Sequence, residues 1–160
     1  MADNQATRKG ADINDAVDGS GTKGTVKALV STIELAASSS GDTVDFGKIP
    51  SNARILAVSK VYWDDLATSG SPTLDIGLKT YINNDVTADP DALANGLDVT
   101  SASSGALTAV TTGALGDPAW DYINGVSSDP GGVFEVYGSI KDAATTQTGT
   151  VEVEILYYDE

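Results

Sequence analysis

The stretch "GVFEVYGSIKDAATTQTGTVEVEILYY", residues 132–158, alternates twice. In its second half Val151, Val153, Ile155 and Tyr157 take every other position, with Glu152 and Glu154 among them. Successive side chains of a strand point to opposite faces, so the apolar set lies inward and the glutamates meet water. The polar "KDAATTQTG" at 141–149 joins the two halves. The whole segment reads as an antiparallel hairpin with a long loop.

The same grammar extends back along the chain. "TVKALVSTIEL" (25–35) is β-branched and long enough for one strand or two, and "ASSSGD" is a turn. "TVDFGKI" sets Val44 and Phe46 against Asp45 and Gly47. After "PSNA" turns the chain, "RILAVSKVYW" (54–63) alternates again with both sides largely apolar. That pattern predicts one central strand covered on both faces. "TLDIGLKTYI" is a strand with Leu74, Ile76 and Leu78 on one face. "DPDALANG" offers Asp89 as N-cap, Pro90 at the first helical position and Gly96 as stop; "DPAWDYING" repeats the device with Asp117, Pro118, Asn124 and Gly125. Two helices of one or two turns are expected there, with one weak strand at 107–111. The total is about seven or eight short strands and no internal repeat, hence an all-β sandwich or jelly roll with one or two very short helices in loops. Residues 1–24 are polar and without periodicity, and read as a flexible N-terminal arm before a single β-sandwich domain at 25–160.

Charge narrows the partners. The net charge of −14 arises from 23 acids and 9 bases. Residues 1–27 hold Asp3, Asp12, Asp15 and Asp18 against Arg8, Lys9, Lys23 and Lys27, so the whole excess lies in 28–160. Such a surface repels phosphate, which argues against nucleic acid as a partner. Its plain role is solubility; its sharper one is a face for cations or for a base-rich partner. There is no apolar run of the roughly 18 residues that spans a membrane, no secretory h-region and no lipidation motif, so no membrane partner is expected.

Catalytic motifs fail one by one. With no His and no Cys, the usual triads, thiol nucleophiles and most zinc or haem sites are out. "GDTVDFGKI" has five residues between Gly41 and Gly47, and Ile49 where a phosphate loop needs Ser or Thr. "DINDAVDGSG" puts Ala16 and Val17 where a calcium loop needs an oxygen ligand and a glycine. Loop aspartates leave a non-standard calcium site open. A carboxylate pair for sugar cleavage needs only Asp or Glu, but Glu135, Glu152 and Glu154 fall at alternating strand positions where solvated residues go. No enzyme activity, cofactor or metal site is expected. Tyr62–Trp63 and Tyr157–Tyr158 each place adjacent rings on opposite faces. Trp63 and Tyr157 fit the core, and Tyr62 and Tyr158 are candidates for a partner or a sugar.

"FGKIPSNARILAV", then "LDIGL" and "DPDALANGLDVTSAS", together resemble small structural proteins of tailed-bacteriophage heads over roughly residues 40–100. In those proteins a strand passes through an Ile/Leu-Pro-x-x-Ala corner into a covered strand, and an L-x-Ile/Val-G strand follows. The resemblance implies a head decoration, or cement, protein. Such a protein is made in the host cytoplasm, binds the major capsid protein on the capsid exterior, and is often a homotrimer. It implies no catalytic residue. The residues assigned to partner binding are Arg8, Lys9, Lys23 and Lys27 in an electrostatic tether, with Tyr62 and Tyr158 on the body. A carbohydrate-binding or adhesin module, and less readily a small carboxylate glycosidase or lyase, stay open.

Overall fold

The computed structural model describes residues 25–67, 69–82, 85–107, 116–143 and 147–159. The N-terminal segment 1–24, with Arg8, Lys9 and Lys23, lies outside them, as does the expected strand at 107–111 beyond Leu107.

Among the described residues nine strands form two antiparallel sheets. The pairings follow a rule. β1 (Lys27–Ser38) pairs with β9 (Gln147–Asp159), and β2 (Thr43–Pro50) with β8 (Val133–Ala143). β4 (Lys60–Trp63) pairs with β7 (Ser103–Ala106), and β5 (Gly70–Ile82) with β6 (Asp89–Asp98). First meets last and second meets second-last, which is a long ribbon folded over on itself. The resulting sheet orders, β1-β9-β4-β7 and β2-β8-β5-β6, are those of a jelly roll. The short β3 (Ala53–Ile55) also pairs with β9, beyond the end of β4.

The expected closing hairpin is therefore corrected. β8 and β9 alternate as read, and Val151, Val153 and Ile155 are fully buried. But the two strands lie in different sheets: β8 lies between β2 and β5, and β9 pairs with β1, β3 and β4. Period-2 patterning determines which face is buried, not which strand lies alongside.

The expected continuous strand at 54–63 is also corrected: it breaks into β3 and β4. At 56–59 the chain leaves the ladder opposite Leu156. The Leu56 N–H donates to the Leu156 carbonyl (2.8 Å), and the Ser59 N–H closes a turn on the Leu56 carbonyl (2.9 Å). The fully buried Ser59 side chain repairs the gap, its Oγ accepting from the Leu156 N–H (3.0 Å) and donating to the Leu156 carbonyl (3.2 Å). Coverage on both faces fails too. In β4 Val61 and Trp63 are buried while Lys60 and Tyr62 are exposed.

The helix expected at 89–96 is a strand, β6. Between the partners Ile76↔Ala94 and Leu78↔Asp89 the register slips, and residues 90–93 form a wide bulge. Ala92 and Leu93 are fully buried there, and that burial outweighs a capping signal. Only glycine fits beneath the bulge: a Cβ on Gly77 would lie 2.1 Å from the Asp89 carbonyl oxygen. At 117–125 the chain makes a single 3-10 turn, Ala119–Tyr122; Pro118 precedes it, and no side chain caps it.

The Pro50 corner carries the chain from one sheet to the other. Ile49 and Ile55 on its two sides are both buried. Ser51 holds it by backbone bonds, its N–H to Gly132 O (3.1 Å) and its carbonyl to Trp120 N–H (3.0 Å). Between the sheets Phe46, Leu74, Ile76, Leu78, Phe134 and Val136 pack with the inward residues of β9.

Candidate docking surface

The outer face of the five-stranded sheet follows from the register. Val30, Glu154 and Lys60 lie in one row; Thr32, Glu152, Tyr62 and Ser104 lie in the next. Along β9 the outward residues run Thr150, Glu152, Glu154, Leu156, Tyr158. One half of this face is polar and self-satisfied: Thr32 Oγ1 donates to Glu152 (3.0 Å) and Thr150 Oγ1 to Glu34 (2.6 Å). The other half holds Ala28, Val30 and Leu156, beside the turn bearing Val58. Val30 is 59% exposed and Val58 62%. Apolar side chains left this open beside carboxylates make a surface suited to an apolar, base-bearing partner.

Tyr62 stands on this face, 39% exposed, as expected. Tyr158 shares the face but is half-buried, and six positions along β9 separate it from Glu152 beside Tyr62, roughly 20 Å. The two rings therefore do not form one sugar-stacking platform. Trp63 is buried as expected, its Nε1–H donating to Ser101 O (3.0 Å), and Tyr157 packs half-buried against the core. Lys27 opens β1 and pairs with Asp159 (2.7 Å). The hydrogen bond from Lys27 holds the Asp159 carboxyl below its usual range, and the same bond raises the Lys27 ammonium.

The opposite face is different. There the backbone of Asp89 and Pro90 in the β6 bulge lies over Gly77 of β5, and Asp89 and Asp91 of β6 act together with Asp75 of β5 on Tyr137. Asp75 is buried, accepts the Gly96 N–H (2.7 Å) and pairs with Lys141, whose ammonium is raised by that hydrogen bond. Asp89 accepts the Asn124 N–H (2.8 Å), and Asp91 accepts from Asn95 (2.6 Å). Burial, then the hydrogen bond and charge of Asp89, push the Asp91 carboxyl up. Burial, then the three carboxylates, push the Tyr137 hydroxyl to about 12. Among the described residues no group of three or more acids has a metal-holding arrangement. Nearby Tyr81 is 50% exposed under Lys48, whose Nζ lies 3.9 Å from the ring centre.

Sequence reading missed Val30, Val58 and Leu156. Val30 was within reach, since alternation in β1 puts it outward once Leu29 and Ile33 are inward. Val58 was not, because nothing in the alternation marks the break at 56–59.

No protein-family model matches the chain, and no curated protein matches it significantly. Among solved structures it is similar to a chain of the cyanophage Pam1 capsid asymmetric unit, with a TM-score of 0.52 and 22% identity over 88% of this chain and 89% of that one. The likeness runs almost end to end and is one of fold.

Proposed function

We propose that this chain is a non-catalytic virion structural protein that binds the outer face of an assembled phage capsid and stabilises it. The observation that carries the reading is the fold shared with a chain of a phage capsid asymmetric unit over nearly the full length of both. The charge supports an exterior position: a body holding all of the −14 excess is repelled by packaged nucleic acid. The half-apolar outer sheet face, with Val30, Val58, Leu156 and Tyr62, is the surface that meets the shell. Arg8, Lys9 and Lys23 add a charged tether to an acidic neighbour; Lys27, already paired with Asp159, contributes less. The test is occupancy of purified heads lacking the protein, by gel and cryo-EM, together with the heads' resistance to heat. Saturable binding and a raised rupture temperature are expected. Heads that take up none of the wild-type protein overturn the reading. Jelly rolls also serve as lectin domains, and exposed Tyr62 then makes sugar-array binding the next measurement.

A further inference from the structure

A sheet edge is a row of backbone N–H and C=O groups without partners, and folded chains commonly blunt it. Among the described residues, three of the four strands that end the two sheet orders are blunted. β2 has a bulge between Asp45 and Gly47, and it ends on Pro50. β6 has Pro90 and the wide bulge. β7 is four residues long. β1 is not blunted: it is twelve residues, KALVSTIELAAS, free of Pro and Gly. Its ladder with β9 is unbroken from Lys27 to Ala36, and among the described residues β9 is its one partner.

The hydrogen bonds tell which β1 groups face outward. Ser59 and Leu56 engage the N–H and C=O of Leu156, so those groups point toward β3 and β4 and away from β1. Ala28 lies opposite Leu156 and forms with it a non-hydrogen-bonded pair. The alternation then directs the N–H and C=O of Ala28, Val30, Thr32 and Glu34 to the free edge, and those of Leu29, Ser31 and Ile33 to β9. The side chains of Ala28, Val30, Thr32 and Glu34 are exposed beside this edge, continuous with the apolar half of the outer face.

We infer that β1 is a strand-addition site: an extended segment of the partner pairs with the backbone of residues 28–34 and extends the five-stranded sheet. The occupant is a strand of another protein, apolar at alternate positions to continue the Ala28–Val30 stripe and carrying Lys or Arg to meet Glu34, Glu152 and Glu154. A second copy of this chain is disfavoured, because each body carries the full −14 excess. The inference rests on the capsid reading and names how the shell is held.

The experiment is amide hydrogen exchange of the wild-type protein, free and bound to purified heads, quenched and read residue by residue. In the free protein the amides of Val30, Thr32 and Glu34 exchange fast while Leu29, Ser31 and Ile33 are protected. On heads the first set slows by about 100-fold or more and the second hardly changes. Thr32→Pro supplies a second arm: its N–H makes no bond to β9, so the variant keeps its melting temperature within a few degrees and loses occupancy at least about tenfold. Heads that bind wild type without slowing the outward amides overturn the strand addition and leave the capsid reading standing. Outward amides already slow in the free protein at every dilution, or slow only at high concentration, assign the edge to this chain itself and overturn it too. Heads that bind no wild-type protein end both readings.

Discussion

Ser59→Ala tests whether one hydroxyl replaces a missing stretch of ladder. The substitution removes a fully buried Oγ that takes the Leu156 N–H at 3.0 Å. The Leu156 carbonyl keeps its bond from Leu56 N–H at 2.8 Å, so the acceptor stays satisfied. The donor does not: it faces the 56–59 turn with no other oxygen supplied to it. An orphaned buried donor costs about 1–3 kcal/mol, against about 1 for the net worth of an ordinary hydrogen bond. The expected loss is about 2 kcal/mol, which lowers Tm by roughly 4–8 °C for a chain of this size. Urea unfolding of wild type and variant measures it, with an unchanged m-value showing that only stability moved. Val58→Ala is the control, since its side chain is largely in solvent and its removal costs less than about 0.5 kcal/mol. Exchange at the Leu156 amide accelerates in Ser59→Ala beyond what the global loss explains. A stability change below about 0.5 kcal/mol, or an unaltered Leu156 amide, refutes the argument.

Gly77→Ala forces a Cβ into the Asp89 carbonyl and costs about 3 kcal/mol or displaces the bulge, while Gly96→Ala, in open space at φ +63°, costs about 1–2; thermal unfolding ranks them. The Asp91 carboxyl is raised in the folded state, so its protonated form favours folding: that contribution is full below the unfolded pKa and is lost as pH rises through the folded one. Urea midpoints of wild type minus Asp91→Asn should therefore fall as pH rises from about 3 to 6, and a flat difference contradicts the assignment. Reversing Arg8, Lys9, Lys23 and Lys27 to Glu lowers head occupancy at low salt, and the wild-type advantage shrinks at high salt; equal binding at low salt removes the tether.

Alternation exposed the inward sets of β5 and β9 directly, because Leu74, Ile76, Leu78, Val151, Val153 and Ile155 sit at period 2 with no competing signal. The Ile49–Pro50–Ile55 corner was legible for the same reason: a fixed φ flanked by two anchors. Pairing was not legible. Glu152 and Glu154 identify an outer face, but nothing in 132–158 says that β1, far away in sequence, lies alongside. The helix signal at Asp89–Pro90 was local, and the buried Ala92 and Leu93 of the bulge overruled it. Of the surface, Tyr62 was found from ring adjacency, whereas the β1 edge emerges only once Leu156 is seen turned toward Ser59.

The central place of β9 has a consequence for how the chain folds. Among the described strands β9 comes last in sequence, yet it touches β1, β3 and β4, and without it the five-stranded sheet has no middle. β1 and β4 cannot bridge that gap themselves, so their apolar faces stay open until β9 docks between them. Folding is then slow, governed by the closing of contacts between strands far apart in sequence. Loss of β9 leaves an aggregating remnant rather than a weakened protein, so the integrity of that one strand decides whether the five-stranded sheet exists at all.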